Sequence, residues 1–121
     1  MKWRIQLDHA AVATRDPEKL KHVLQIMGLK DIGSEDVDSQ GVRVHFLKSD
    51  AGTPNVEILE VVDPQGVVAK YLDKKGAGIH HLSFSVDQIE TLMDELKKAQ
   101  IRLVYDKPRP GAHHTLVNFI H

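Results

Sequence analysis

The stretch Ile79-His80-His81-Leu82-Ser83-Phe84-Ser85-Val86, residues 79–86, decides how this chain is read, because its pattern occurs twice. Shifting the chain by 72 residues lays His9 on His81, Ala11 on Ser83 and Ala13 on Ser85. The same shift lays Leu20 on Leu92 and Leu24 on Leu96, and one more residue in the loops brings Phe46 onto Phe119. A histidine, small residues at alternate positions and then two leucines at helical spacing recur in one order. That is the mark of a supersecondary unit used twice. The unit reads as strand–helix–strand–strand–strand. Module one covers about residues 4–62, a linker helix about 63–76 and module two about 77–121, all within one domain.

Local signals fill in the unit. Ile5 to Ala13 is a loosely alternating strand. Asp16-Pro17 places a capping side chain before a proline at the first helical position. Leu20, Val23, Leu24 and Met27 follow at helical spacing, and Gly28 ends the helix. Val42–Leu47 and Asn55–Val62 are strands separated by the turn formers Asp50, Gly52 and Pro54. Asp63-Pro64 repeats the cap signal and predicts a helix with Val67, Val68, Tyr71 and Leu72 on its apolar stripe, ended by Gly76 and Gly78. After the strand 79–86, Asp87 and Glu90 form a capping-box pattern for a helix carrying Ile89, Leu92, Met93 and Leu96. Ile101–Tyr105 and Leu116–Ile120 are the last predicted strands. The fold class is α+β, two tandem βαβββ modules, with the second lacking its last strand. The counterpart of the Glu57 strand would fall about a dozen residues past His121. Either module two is open on one edge or the natural chain extends beyond His121; we expect the latter, which an intact mass equal to that of these 121 residues would exclude.

The composition narrows the function classes. The 121 residues are 41% hydrophobic and 27% charged, which is globular rather than disordered or fibrous. A net charge of -1 argues against a generic binder of nucleic acid or of an anionic membrane. There is no cysteine, so disulfides, thiolate nucleophiles and cysteine-ligated zinc are excluded. The apolar runs, such as Ala10-Ala11-Val12-Ala13, are far too short to span a bilayer, and Met1-Lys2-Trp3-Arg4 leads into no signal-peptide core. A soluble, cytoplasmic protein is expected. Eight histidines in a cysteine-free chain raise the weight of a His/carboxylate metal site.

Within a strand, residues i and i+2 share a face. His9 therefore shares one with Ala11 and Ala13, and His81 with Ser83 and Ser85, so small side chains leave room beside each imidazole. Both histidines also read as hydrogen-bonded residues of a half-buried sheet. Glu57 lies in the run Val56-Glu57-Ile58-Leu59-Glu60-Val61-Val62, where a carboxylate is costly unless paired, protonated, on a metal or facing solvent. Glu60 faces away from Glu57. Two histidines and a carboxylate suit a borderline divalent ion with positions open to water or substrate. Asp8 is either an orienter of His9 or a surface charge. His80 points away from His81 and is excluded from the same site, His113-His114 reads as a polar loop doublet, and His22 and His45 read as structural. Lys107-Pro108-Arg109-Pro110-Gly111 is a rigid basic loop, suited to a phosphate or carboxylate and equally to a solvated turn. No phosphate-cradling glycine loop, dinucleotide fingerprint or nucleophile elbow occurs.

Leu7-Asp8-His9, Asp16-Pro17, Gln40-Gly41-Val42 and Val56-Glu57-Ile58-Leu59-Glu60 resemble the vicinal oxygen chelate superfamily of glyoxalases, bleomycin-resistance proteins and dioxygenases. Val68-Ala69-Lys70-Tyr71-Leu72, Gly78-Ile79-His80-His81-Leu82-Ser83-Phe84 and Asp106-Lys107-Pro108-Arg109-Pro110-Gly111, leading to Asn118-Phe119-Ile120-His121, resemble its methylmalonyl-CoA epimerase branch. The resemblance implies paired modules forming a cupped mixed sheet around one divalent metal ion, with cobalt, zinc, manganese and nickel not distinguished. It places metal ligands at His9, Glu57 and His81. A fourth ligand, a Glu on the last strand and a candidate base, lies beyond His121. Another base, a Glu in some members, falls here on Val44, and His45 cannot replace it from the opposite face.

The catalytic bases thus stay unassigned. The resemblance further implies an isomerase that interconverts the (R) and (S) forms of methylmalonyl-CoA through an enolate, an acyl-CoA thioester partner and a homodimer. Lys107 and Arg109 are assigned to the coenzyme A portion. A glyoxalase I-like lactoylglutathione lyase and a non-catalytic small-molecule-binding protein of the same superfamily are the alternatives.

Overall fold

A computed structural model describes residues 2–121. The order of elements is β1 (Ile5–Thr14), α1 (Pro17–Ile26), β2 (Lys30–Val37), β3 (Val42–Ser49), β4 (Gly52–Val61), α2 (Val67–Lys75), β5 (Gly78–Val86), α3 (Ile89–Lys98), β6 (Arg109–Pro110) and β7 (Leu116–Val117). The protein is α+β, as predicted: a five-stranded mixed sheet in the order β2-β3-β4-β1-β5, three helices and a separate β6-β7 ribbon. The chain divides into two compact units, one of residues Leu7–Phe84 and one of residues 2–6 with Ser85–His121. No helix among the described residues is long and apolar enough to cross a membrane.

In the Leu7–Phe84 unit, β4 is central. It pairs parallel with β1 and antiparallel with β3. Period-two patterning sorts its residues. Ile58 and, on β3, Leu47 are fully buried on one face, while Leu59, Val44, Phe46, Ala11 and Ala13 are buried on the other. A strand with apolar residues on both faces is what a central position requires. Helix α1 starts where the sequence places it: Asp16 accepts a hydrogen bond from the Lys19 N–H, and Pro17 opens the first turn.

The second cap signal is misread by the sequence. Asp63 and Pro64 form a turn, with Asp63 Oδ1 accepting from Gln65 N–H and Asp63 O from Gly66 N–H, and the helix begins only at Val67. Close packing explains the delay. Gly41, in the left-handed region at φ 67°, accepts from the N–H groups of Val62 and Asp63, and a Cβ there would lie 2.9 Å from the Asp63 Cβ. The stripe holds for Val68 and Leu72, which are buried, whereas Val67 is exposed.

Strand β2 escapes the sequence analysis. It is an edge strand whose residues Lys30-Asp31-Ile32-Gly33-Ser34-Glu35-Asp36-Val37 show no alternation of apolar side chains. Charges at an edge discourage further pairing, and the same charges hide the strand from a hydrophobicity reading.

In the other unit, Asp87 is not the predicted cap. Its carboxylate accepts from Arg4 N–H at 2.7 Å, and Gln88 precedes α3 without a side-chain cap bond. The predicted strands Ile101–Tyr105 and Leu116–Ile120 reduce to one bridge, Leu103 with Ile120, plus the two residues of β7. Asn118 is the reason. Its Oδ1 accepts from Tyr105 N–H at 3.0 Å and its Nδ2 donates to Tyr105 O at 2.9 Å, so a side chain takes both backbone groups that would continue the ladder. Asn118→Ala is expected to cost about 1–3 kcal/mol through those orphaned groups. Hydrogen exchange checks it: the Tyr105 amide should lose protection, and unchanged exchange there would refute the assignment.

Candidate metal and proton-transfer site

The register of three strands builds the site. Ala11 on β1 and Phe46 on β3 lie opposite Glu57 on β4, and His9 lies opposite Asn55. His9, Ala11, Glu57, Phe46, Leu59 and Val44 therefore share one face. The parallel offset brings His9 Nδ1 within 3.0 Å of Glu57 Oε2, and both side chains are largely shielded, at 14% and 16% exposure. Ala11 fits because a larger residue there would fill the space beside both groups.

Asp8 joins them. Its Oδ2 stands 2.7 Å from His9 Nδ1. Asp8, His9 and Glu57 each offer a ligand atom, and those atoms lie within 4.8 Å of one another. When the ring proton is on Nδ1, both carboxylates can accept it and the lone pair sits on Nε2.

His81 stands beside this group: its ring centroid is 5.5 Å from that of His9, the two rings edge to face. Burial, with help from His80 and His9, depresses the His81 pKa to about 4, so its imidazole is neutral near pH 7. Neutral imidazole is the metal-binding form. His80 does not point clear of it, contrary to the strand-face argument. His80 Nδ1 lies 2.9 Å from His81 Nδ1, and burial lowers its pKa as well. When His81 Nδ1 is the donor in that bond, the ring lone pair sits on its Nε2. Tyr71 sets His80 in place, its ring 4.7 Å away and its hydroxyl donating to Ile79 O.

The remaining assignments separate cleanly. Val44 is buried between Glu35 on β2 and Leu59 on β4. His45 is on the opposite face and has a partner the sequence does not name: its Nε2 lies 2.7 Å from Glu60 Oε1. His22, His113 and His114 are exposed. Lys107 and Arg109 belong to the other unit. There they line a cleft of about 450 Å³ with Val104, Tyr105 and Asp106, and the Arg109 guanidinium sits 4.6 Å above the Tyr105 ring.

Fold and site together define a mixed-sheet α+β protein with a His/carboxylate cluster on adjacent strands whose ligand atoms lie close enough to hold a metal ion. The family model described as the glyoxalase/bleomycin resistance protein/dioxygenase superfamily matches residues 8–119, and the chain belongs to that superfamily. Within it, the chain is 33% identical to the ethylmalonyl-CoA/methylmalonyl-CoA epimerase of Cereibacter sphaeroides, across 96% of this chain and 87% of that protein. The crystal structure of methylmalonyl-CoA epimerase from Mycobacterium tuberculosis superposes with a TM-score of 0.88 at 30% identity, covering 95% of this chain and 77% of that one. A methylmalonyl-CoA epimerase in complex with methylmalonyl-CoA and NH4+ superposes at 0.86 with 28% identity, covering 96% of this chain and 84% of that one. These relatives are isomerases of the racemase and epimerase kind, and the chain sorts with them.

Proposed function

We propose that the protein is a metal-dependent epimerase that interconverts (R)- and (S)-methylmalonyl-CoA. The observation that carries this reading is the meeting of His9 and Glu57 on adjacent strands, with neutral His81 alongside, in a chain whose relatives act on this class of thioester. His9, Glu57 and His81 are the residues that would hold the ion. Two imidazoles and a carboxylate fit cobalt, zinc, manganese or nickel, and the neutral state of His81 suits it to the task. When bound, such an ion supplies Lewis-acid stabilisation of negative charge on a thioester or carboxylate oxygen.

The chain's own residues do the rest. Asp8 orients His9 through Nδ1, and His80 does the same for His81. Ala11 and Ala13 keep the floor low, while Val44, Phe46 and Leu59 make it apolar, which strengthens electrostatic interactions above it. Separately, Lys107 and Arg109 offer two cations in one cleft, which suits the phosphates of an acyl-CoA. We read the enzyme as a cytoplasmic homodimer.

The test is solvent isotope uptake. Metal-loaded protein is incubated in deuterated water with one stereoisomer of methylmalonyl-CoA. Label at C2, accompanied by racemisation and abolished by chelator, is expected. A folded, metal-bound protein that leaves C2 unlabelled would overturn the reading in favour of a hemithioacetal lyase or a binding role.

A further inference from the structure

Epimerisation at C2 needs side chains that accept and return the proton. Two further rows of this sheet face, next along from the row of His9 and Asn55, can be read off the strand register. One row is Phe46, Glu57 and Ala11. The next is Glu35, Val44, Leu59 and Ala13. Within these rows Glu35 is the titratable side chain that stands outside the proposed ligand set.

Glu35 also has the right exposure and the right freedom. Along β2, Glu35 and Val37 are half-buried while Ser34 and Asp36 are exposed, so the β2 end of this face is sheltered on the side that carries Glu57. The other carboxylates nearby are committed. Asp36, on the outer face, is bonded to Arg43 at 2.7 Å, and Asp31 accepts from Gly33 N–H. The Glu35 carboxylate has no hydrogen bond or ion pair among the described residues. Two strand spacings, roughly 10 Å, separate its backbone from that of Leu59, with Val44 between them. Val44 and Leu59 make the stretch of face between Glu35 and β1 apolar, and Glu57 lies one row along the same face.

We propose that Glu35 is a proton-transfer residue of this enzyme, taking the C2 proton from one face of the bound thioester. The inference rests on the epimerase reading above. The C2–H bond breaks, its electron pair passes into the thioester carbonyl, and the proton moves to the Glu35 carboxylate. Return of a proton to the opposite face of C2 from a second group inverts the centre. No oxidant, reductant or net charge change is involved.

The test compares wild-type protein, Glu35→Gln and Glu35→Asp, each metal-loaded, with each single stereoisomer in deuterated water. Glu35→Gln keeps the shape of an edge-strand side chain, so metal content and melting temperature should match the wild type. Its epimerisation rate should fall by about 100-fold or more, the usual size of a general-base contribution. C2 labelling should be lost from one stereoisomer and persist without inversion in the other. Glu35→Asp should recover part of the rate. An active wild type whose Glu35→Gln variant epimerises within about threefold of it would overturn the role of Glu35 and leave the epimerase reading standing, since general-base loss is far larger. A metal-bound wild type that labels neither stereoisomer would overturn both.

Discussion

His81→Ala is expected to weaken divalent-metal affinity by more than about 100-fold, because losing an outer partner of a ligand alone costs about 10–100-fold. The fold should survive, since His81 is half-buried and outside the apolar core. Asp8→Asn supplies the contrast. Asp8, His9 and Glu57 are the tightest chelating group among the described residues, whereas the family resemblance puts His81 in the ligand set. If Asp8 only orients His9, Asp8→Asn should stay in the 10–100-fold range and His81→Ala should exceed it. Titration calorimetry with zinc and the visible spectrum of the cobalt form measure both. Stoichiometric, tight metal in His81→Ala would remove His81 from the site, and the reverse ranking would make Asp8 the third ligand.

Ile58→Ala should be the most destabilising single truncation of the sheet. Ile58 is 0% exposed in the central strand, opposite His45 on β3 and Val12 on β1. Deleting a buried isoleucine to alanine costs about 2–5 kcal/mol, through lost transfer energy and the cavity left behind. For a domain of this size that corresponds to a fall in melting temperature of roughly 8–20 °C. Ile26→Ala is the control: Ile26 is 73% exposed on α1, and its removal should stay within about 0.5 kcal/mol. Thermal melts followed by circular dichroism decide it. Because Glu57 precedes Ile58 on the same strand and faces the other side, folded Ile58→Ala should still bind metal. A melting temperature equal to that of wild type would show that the sheet face opposite Glu57 contributes little to stability.

The sites that sequence reading found share one property: their signals are local. The Asp16 cap, the alternation of β1, β3 and β4, and the sharing of a face by His9, Ala11 and Ala13 all operate within a few residues, where the helical and strand periods apply. The repeat extended that reach by equating His9 with His81, and the two rings do lie close together. Local reading failed where a distant partner competes for a group. Asp87 looks like a cap, and Arg4 takes its carboxylate. Residues 101–105 look like a strand, and the Asn118 amide ends the ladder at Tyr105. His80 looks averted from His81, yet the two Nδ1 atoms meet.

By itself the sequence determined the α+β class, the absence of cysteine chemistry and the three residues proposed as ligands. Only the tertiary structure decided that His9 and Glu57, far apart in the chain, stand 3.0 Å apart, that Asp8 completes their group, and that β2 carries Glu35 onto the same face. The physical reason is register. A strand's own pattern says which side chains share a face. Which of them are neighbours across strands is set by the pairing that buries that face as a whole, and a slip of one residue would send Glu57 or Glu35 to the other side.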